Sequence, residues 1–183
     1  MRKVIATMNM TLDGFCDHTS MVADDEIHQH YADLIGSAGT LLYGRTTYQL
    51  MESYWPDVLK NPTGNKATDD FAAAIDRVPK VVFSRTLKNV EWETARVAER
   101  DLETEVTVLK QQEGEDIFVG SPSLIVGLTN LKLIDEYQLL VQPTIVGSGL
   151  RLLKDIDDRV DLNLVKTRTL SGTGSVLLTH ERK

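Results

Sequence analysis

The chain contains only one cysteine, Cys16, among its 183 residues. A single thiol excludes an intramolecular disulfide framework, and it excludes any zinc or iron–sulfur site that needs several cysteines. It is typical of a protein in a reducing compartment, and we therefore expect a cytoplasmic protein. An isolated cysteine is more often a small buried hydrophobic residue than a reactive thiol.

The chain also lacks long apolar runs, and it has fewer basic than acidic residues. The apolar stretch that follows residues 1–3 is interrupted by Thr7, Asn9, Thr11 and Asp13. No run approaches the roughly 18 apolar residues of a membrane span, so neither export nor membrane insertion is expected. Lysine and arginine number 20 against 27 aspartates and glutamates, which gives a net charge of −7. This charge repels a phosphate backbone and disfavours general nucleic-acid binding.

The remaining composition is ordinary for a globular protein. Hydrophobic residues make up 42% of the chain and charged residues 26%, close to the average for soluble domains. The length of 183 residues favours one domain, residues 1–183, because domains hold about 100–200 residues. A chain of this size can bury about 70% of its extended surface, which is enough for a substantial core.

Strand and helix patterns alternate along most of the chain. Apolar runs closed by turn residues predict strands over residues 4–10, 40–43, 80–84 and 117–120. Residues 55–68 contain two prolines and a glycine, which predicts a loop and the best candidate for a mobile lid. Helical spacing of apolar residues predicts five helices: one capped by Ser20 and ending at Gly36, one over residues 45–51, one capped by Thr68, one through Leu102, Val106 and Leu109, and one opened by Ser121 and Pro122.

After residue 135 the pattern becomes rich in strands. Residues 136–146 predict a long strand, although Pro143 indicates that its second half lies at a sheet edge or a bulge. Two further strands are predicted over residues 162–170 and 175–181, joined by a hairpin loop at residues 171–174. We therefore predict an α/β fold with a central, mixed and mostly parallel sheet flanked by helices, to which the C-terminal strands add antiparallel pairs.

Three of the predicted strands are followed at once by a glycine or serine and a group that can bind anions. The segments are Tyr43-Gly44-Arg45-Thr46-Thr47, Phe83-Ser84-Arg85-Thr86 and Val119-Gly120-Ser121-Pro122-Ser123. In an open α/β sheet, ligands bind beyond the carboxyl ends of the strands, where helix N-termini offer free N–H groups. Each segment alone is more often a helix cap or a surface arginine, but the three together favour a ligand that carries phosphates.

Five segments, taken in order, carry a family resemblance. They are Thr11-Leu12-Asp13-Gly14, Leu42-Tyr43-Gly44-Arg45-Thr46-Thr47-Tyr48, Val119-Gly120-Ser121-Pro122-Ser123-Leu124, Leu133-Ile134-Asp135-Glu136-Tyr137-Gln138-Leu139 and Pro143-Thr144-Ile145-Val146-Gly147-Ser148-Gly149. This order resembles the reductase domain of bacterial riboflavin biosynthesis, which has the dihydrofolate-reductase-like fold. The resemblance implies an NADPH-dependent reductase with a small-molecule substrate, and it implies a homodimer.

The resemblance also places the phosphates and the adenosine of NADPH along the strand ends. Gly44, Arg45 and Thr46 match the family's glycine-arginine-x-threonine turn, which is expected near the cofactor phosphates. Ser84 and Arg85 match the strand end on the adenosine side. The resemblance therefore implies that these two residues recognise the 2′-phosphate that distinguishes NADPH from NADH.

A third turn matches the family's glycine-rich approach to the pyrophosphate. It contains Gly120, Ser121, Ser123 and Leu124. Ser121 replaces the second glycine of the common Gly-Gly pair. Its side chain could narrow the approach of the backbone to the pyrophosphate, or its hydroxyl could donate to a phosphate.

The resemblance also implies that the loop of Leu12, Asp13, Gly14 and Phe15 covers the nicotinamide. Hydride transfer needs a close approach of donor and acceptor, a dry site and a proton donor for the atom that gains charge. Asp13 is the candidate catalytic residue, either as this acid or as a group that positions the substrate. The competing interpretation is an ordinary turn, since Asp-Gly pairs are common turn formers.

The histidines favour no metal site. His28 and His30 are two residues apart on a predicted helix, so their side chains point about 200° apart and cannot share one ion. His18 and His180 have no companions at ligand spacing. We therefore expect surface or core histidines.

Three functions remain open. The first, implied by the resemblance, is a reductase of the 5-amino-6-(5-phosphoribosylamino)uracil type; the zinc deaminase motifs that usually accompany it are absent from this chain. The second is a pterin or dihydrofolate reductase, for which Asp25 or Glu26 would bind the pterin. Carboxylates in a first helical turn are more often helix-dipole partners, and the tryptophan-containing segment of folate reductases is missing between Phe15 and Asp24. The third is a non-catalytic, oligomeric domain that binds a nucleotide.

Overall fold

The computed structural model describes residues 1–183, which form eight strands, six helices and a short 3₁₀ turn at His18–Ser20. The strands are β1 (Val4–Thr11), β2 (Thr40–Gly44), β3 (Lys80–Phe83), β4 (Ala95–Val97), β5 (Ile117–Val119), β6 (Glu136–Gln142), β7 (Leu162–Leu170) and β8 (Ser175–Arg182). The helices are α1 (Asp25–Gly36), α2 (Arg45–Glu52), α3 (Trp55–Lys60), α4 (Lys66–Arg77), α5 (Leu102–Gln111) and α6 (Pro122–Asn130). None of these helices has both the length and the apolar character that crossing a membrane requires.

All eight strands belong to one sheet, in the order β4-β3-β2-β5-β1-β6-β8-β7. Strands β1 to β6 are mutually parallel, whereas β8 pairs antiparallel with β6 and β7 pairs antiparallel with β8. The predicted α/β class, with a mostly parallel sheet and antiparallel C-terminal strands, is confirmed. Parallel strands end at the same edge of a sheet, so the segments that follow β1, β2, β3 and β5 share one edge, here named the carboxyl edge.

Helices cover both faces of this sheet. Successive side chains of a strand point to opposite faces, so each face has its own part of the core. In β2, Leu42 packs with Ile125 of α6 on one face, while Tyr43 packs with Ile75 of α4 on the other. Leu42, Ile125 and Ile75 are all fully buried. Burial on both faces explains why the central strands are continuous apolar runs rather than alternating patterns.

The prediction of a loop and lid over residues 55–68 is wrong. Helix α3 occupies Trp55–Lys60, and α4 begins at Lys66. Pro56 lies in the first turn of α3, where its missing N–H removes no intrahelical hydrogen bond. The Trp55 ring packs against Phe71 with ring centroids 4.3 Å apart. The connection over residues 61–65 is held by the Asp69 carboxylate, which accepts the backbone N–H groups of residues 63 and 64.

Two predicted helix caps are also wrong. Helix α1 is capped by Asp24 rather than Ser20, since an Asp24 carboxylate oxygen accepts the Ile27 N–H at 2.9 Å. Helix α4 is capped by Asn65 rather than Thr68, and the Asn65 side-chain oxygen accepts the Thr68 N–H. Several residues able to cap lie within one turn of each helix start, so composition alone could not choose between them.

Two strands differ from prediction as well. Strand β6 ends at Gln142 instead of residue 146, because Pro143 has no N–H to donate to a neighbouring strand. Strand β4 was not predicted. It has three residues, lies at the edge of the sheet and carries Arg96 at its centre, so it shows little of the apolar pattern that identifies a strand.

Candidate functional site

Four separate turns lie along the carboxyl edge, where the sequence predicted a ligand site. They follow β1 (residues 11–15), β2 (residues 44–46), β3 (residues 84–86) and β5 (residues 120–124). Because β3, β2, β5 and β1 are consecutive neighbours in the sheet, these turns form one row. We call this row the rim.

A hydrogen bond joins the two central turns of the rim. The Gly44 N–H donates to the Ser121 hydroxyl oxygen at 2.9 Å, and Ser121 is 1% exposed. A Cβ atom at residue 44 would lie 3.3 Å from Ser123 Oγ, so glycine allows the close approach of the two turns. The Ser121 side chain therefore points into the protein and does not narrow the rim at its surface.

The two helices that start from these turns lack side-chain caps. Helix α2 begins after Gly44 and α6 after Ser121, and neither residue caps its helix with a side chain. Helices α1, α4 and α5, in contrast, are capped by Asp24, Asn65 and Asp101. At the start of α6, Pro122 has no N–H and the Leu124 N–H donates to the Ser121 carbonyl, so the Ser123 N–H is the group free to bind an anion. No side chain competes for the first N–H groups of α2, and both helix dipoles favour negative charge at these positions.

Exposed arginines flank these helix starts. Arg45 donates from Nη1 to the Thr86 hydroxyl at 3.1 Å, which links the turn after β2 to the turn after β3. Ser84 Oγ accepts the N–H groups of Thr86 and Leu87, so its own hydroxyl hydrogen can be donated elsewhere. Arg85 is exposed, and no ion pair of the protein includes Arg45 or Arg85.

Beyond β1, the Asp13 carboxylate holds together two loops, one over residues 12–17 and one over residues 144–151. It accepts hydrogen bonds from the Thr11 hydroxyl at 2.6 Å and from the backbone N–H of Gly147 at 2.7 Å. The Val146 N–H lies 3.2 Å from the same carboxylate. These bonds, that from Thr11 first, lower the pKa of Asp13 below its ordinary value. The carboxylate is therefore ionised at neutral pH, and its contacts are those of a residue that positions the loops.

Further contacts extend the pairing of these two loops. The Leu150 N–H donates to the Asp17 carboxylate at 2.6 Å, and the Cys16 N–H donates to the Leu150 carbonyl at 2.8 Å. The Arg151 guanidinium stacks on the Phe15 ring. Asp17 and Arg151 were not predicted from the sequence, because a charged residue in an irregular loop gives no pattern that names its partner.

Three of the other predicted residues contribute in different ways. Leu12 is 62% exposed at the rim, whereas Phe15 and Leu124 are buried. Phe15 and Leu124 therefore support the rim from beneath and present little side-chain surface to a ligand. Cys16 is also buried, and burial raises the pKa of its thiol to about 11, as expected of a small buried hydrophobic residue rather than a reactive one.

The carboxylates at the start of α1 are bonded within the protein. Glu26 accepts the Gly172 N–H at 3.0 Å, which docks the hairpin loop between β7 and β8 onto α1. Asp25 accepts from the Asn65 side-chain amide at 2.8 Å. Both carboxylates are therefore already engaged by groups of the protein itself.

The two neighbouring histidines of α1 face different parts of the protein. The His28 ring packs near Trp55 and Phe71. His30 instead lies near Arg168 of β7, and burial together with that guanidinium lowers the pKa of His30 to about 4. No three histidine, cysteine, aspartate or glutamate side chains come together in a way that could hold a metal ion.

Comparison with known proteins places this architecture in a family. The family model described as the RibD C-terminal domain matches residues 2–176. The chain belongs to the RibD C-terminal domain family. Among curated proteins, the uncharacterized YyaP of Bacillus subtilis (strain 168) is 33% identical over 174 residues, which are 93% of this chain and 90% of YyaP. The uncharacterized YwjB of the same strain is 24% identical over 174 residues, or 91% of each chain.

Solved structures share the fold of this RibD C-terminal domain. A Shewanella sp. PV-4 protein, provisionally assigned to riboflavin biosynthesis, aligns with a TM-score of 0.74 at 17% identity, over 99% of each chain. The Thermotoga maritima diaminohydroxyphosphoribosylaminopyrimidine deaminase/5-amino-6-(5-phosphoribosylamino)uracil reductase aligns with a TM-score of 0.67 at 14% identity. That alignment covers 100% of this chain but 57% of the Thermotoga protein. These likenesses show the dihydrofolate-reductase-like fold.

The bond between the two central turns of this RibD C-terminal domain gives a first prediction. We expect Ser121→Ala to lower the free energy of unfolding by about 1–3 kcal/mol, because the Gly44 N–H is left buried without an acceptor. Urea unfolding measures the change. Ser123→Ala, at an exposed position in the same turn, is the control, with an expected change within about 0.5 kcal/mol. Equal stabilities of the two variants would contradict the structural role of the Ser121 hydroxyl.

A second prediction concerns Asp13. We expect Asp13→Asn to speed amide hydrogen exchange at Val146 and Gly147, because a neutral amide oxygen is a weaker acceptor than a carboxylate. The wild-type protein should show the same loosening as the pH falls through the lowered pKa of Asp13, since protonation removes the charge that the two N–H groups bind. Amide exchange measured by NMR tests both expectations. Unchanged exchange in the variant would show that the two loops do not depend on this carboxylate.

Proposed function

We propose that this RibD C-terminal domain is an NADPH-dependent reductase whose cofactor lies along the rim. One observation carries the proposal: the N-termini of α2 and α6, which lack side-chain caps, are joined by the bond between Gly44 and Ser121. Arg45 and Arg85, neither of which forms an ion pair, lie in the same turn and in the adjacent one. Free helix N–H groups together with forked guanidinium donors suit a pyrophosphate and a further phosphate.

The chain's own groups fit NADPH at this position. A Cβ atom built on Gly120 would have only the Thr7 carbonyl oxygen within 4 Å, at 3.7 Å, so the turn after β5 leaves room for a close approach of the pyrophosphate. The N–H groups near Thr46 and Ser123 would bind the pyrophosphate, with Arg45 beside them. Ser84 and Arg85, at the adjacent strand end, would bind the 2′-phosphate.

The loop after β1 would then cover the reactive end of the cofactor. When bound, NADPH supplies a hydride at its nicotinamide ring. Leu12 would shield this ring from water. Gly14 has φ +88°, and a Cβ atom built on it would have no neighbour within 4 Å, so the loop has no side chain on that side. Asp13 would act by holding this loop against residues 146–147, because an ionised carboxylate has no proton to donate.

The acceptor that we propose is a ribosylated aminopyrimidine phosphate, as in 5-amino-6-(5-phosphoribosylamino)uracil reduction. Support comes from membership of the RibD C-terminal family and from the fold shared with the Thermotoga deaminase/reductase. Hydride would add to the carbonyl-equivalent carbon of the sugar while the ring C–O bond at that carbon breaks. The released ring oxygen would take a proton from water, which gives the ribityl product. The bonded state of Asp25 and Glu26 makes a pterin, which would need one of these carboxylates, the less favoured acceptor.

Cofactor titration followed by an assay of turnover tests the proposal. NADPH and NADH are each added while energy transfer from Trp55 and Trp92 to the nicotinamide is recorded, and we expect tighter binding of NADPH. NADPH oxidation is then measured with the aminopyrimidine and with dihydrofolate. Binding without turnover on either acceptor would favour a non-catalytic nucleotide-binding domain, and failure to bind either cofactor would reject the reductase.

The homodimer expected from the family remains part of this proposal. Strand β7 is an edge strand whose residues 163–169 are all exposed, and Leu164 and Val165 are 57% and 56% exposed. An exposed edge of this kind can pair with a second chain. Sedimentation equilibrium measures the mass in solution, and a monomer at micromolar concentration would reject the dimer.

A further inference from the structure

A second concave region lies away from the rim, between α1 and the outer strands of the sheet. This cavity, here named the outer cavity, has a volume of about 300 Å³. Its polar lining comes from three strands and one helix, with Gln138 of β6, Thr179 of β8, Lys166 and Arg168 of β7, and His30 of α1. Donor groups therefore face it from opposite sides.

Two cations in this cavity have no partner within the protein. No ion pair and no side-chain hydrogen bond includes Lys166 or Arg168, although acidic residues outnumber basic ones in the chain. The two residues are separated by one position along β7 and both line the cavity, so their backbones are about 6.6 Å apart on one face. Their mutual repulsion would be relieved by an anion bound between them.

The strand register sets neutral donors opposite these cations. Thr179 pairs with Gln138 on one side and with Lys166 on the other, so these three side chains form a row across β6, β8 and β7. Adjacent strands lie about 4.8 Å apart, which makes the row about 10 Å wide. This width suits a tetrahedral oxyanion contacted from both sides.

The remaining polar groups of the cavity do not oppose an anion strongly. Glu136 also lines it, but this carboxylate accepts from the Gln138 amide at 2.6 Å and lies 3.6 Å from Lys3 Nζ. His30 Nε2 is buried and has no hydrogen-bond partner. A neutral imidazole with its hydrogen on Nε2 would gain the missing partner by donating to an oxygen of a bound anion.

The outer cavity is separated from the rim by packed side chains. Ile27, Leu140, Leu170 and Leu177 form one buried cluster between α1 and the outer strands, and Leu177 is also part of the cavity wall. Glu136 and Gln138 of the cavity wall lie in the first half of β6, whereas the rim lies at the carboxyl edge, beyond the other ends of the parallel strands. A ligand in the outer cavity is therefore not the cofactor held at the rim.

We propose that the outer cavity is a binding site for a phosphate group, held by Lys166 and Arg168 from β7 and by the Thr179 hydroxyl and the Gln138 amide from the neighbouring strands. The group is either free inorganic phosphate or the phosphate of a small monoester. Nothing in this proposal depends on the reductase activity.

Calorimetric titration of the full chain tests this site with two probes, inorganic phosphate and glycerol phosphate. We expect binding of at least one, and the tighter of the two identifies the source of the group. Lys166→Ala with Arg168→Ala should weaken that binding by about tenfold or more, since both charge-assisted contacts are lost. Both residues are exposed on an edge strand, so the variant should unfold at the wild-type urea concentration.

Two control variants, each with two cations replaced by alanine, test whether phosphate binds at the outer cavity or at other positive charges. Lys154→Ala with Arg159→Ala removes the same charge from exposed positions outside the cavity, and Arg45→Ala with Arg85→Ala removes it from the rim. Phosphate binding that survives in both, and is weakened in the β7 variant, supports the outer site. Absence of binding to the wild-type protein, or equal binding after the β7 substitutions, would overturn the proposal, whatever the result of the NADPH titration.

Discussion

NADPH affinity is expected to fall roughly 100-fold or more when Arg45 and Arg85 are both replaced by alanine. Each guanidinium would donate charge-assisted hydrogen bonds to a cofactor phosphate, and a hydrogen bond to a charged group contributes about 1.5–3 kcal/mol. Since 1.4 kcal/mol corresponds to a factor of about ten, two such losses give this effect. The titration of tryptophan fluorescence measures the dissociation constant of each variant.

The single substitutions distinguish the two arginines. Arg85→Ala should reduce NADPH affinity and leave NADH affinity nearly unchanged, because NADH lacks the 2′-phosphate. Arg45→Ala should weaken both cofactors, since both carry the pyrophosphate. Lys154→Ala with Arg159→Ala is the charge-matched control and should leave the affinities unchanged. If the double rim variant still binds NADPH as the wild type does, the cofactor lies elsewhere.

The largest expected effect on folding is that of Leu140→Ala. Leu140 is fully buried among Ile27, Leu170 and Leu177, where β6 and the outer strands pack under α1. Removing such a side chain leaves a cavity as well as losing its transfer free energy, and it costs about 2–5 kcal/mol. Urea unfolding followed by circular dichroism measures the loss.

Leu153→Ala provides the matched control for this substitution. The chemical change is the same, but Leu153 is 49% exposed and lies outside the helices and strands, so the expected change in unfolding free energy is within about 0.5 kcal/mol. A similar loss in both variants would mean that the loss does not come from the buried position of Leu140. A small loss in both would contradict the packing of β6 against α1.

Much of the architecture was predictable because its signals are local. The central strands are short apolar runs ending at Gly44, Ser84 and Gly120, and parallel pairing then brings these ends to one edge. The rim therefore follows from the order of residues along the chain. The lid prediction failed because the contacts that decide this segment are not local. The prolines and the glycine of residues 55–68 are typical of a loop, but Pro56 fits the first turn of a helix. Trp55 packs against Phe71 of the following helix.

The hydrogen-bond partners within the site could not be predicted from the sequence and were identified in the folded structure. The sequence shows a serine where the family commonly has glycine, but only the fold shows that Ser121 turns inward to accept the Gly44 N–H. The Asp-Gly pair predicts a turn, while the partners that lower the pKa of Asp13 include residues 146 and 147, more than 130 positions away in the chain.

The α/β class, the row of strand ends and the family resemblance follow from periodicity, turn residues and the order of short motifs, so the amino-acid order was enough to predict them. The folded chain was needed to show which helices keep free N-termini, what the Asp13 carboxylate holds, and that Lys166 and Arg168 share a cavity with Gln138 and His30. Hydrogen bonds, ion pairs and cavities form between side chains that are distant in sequence, and a local pattern does not identify both partners.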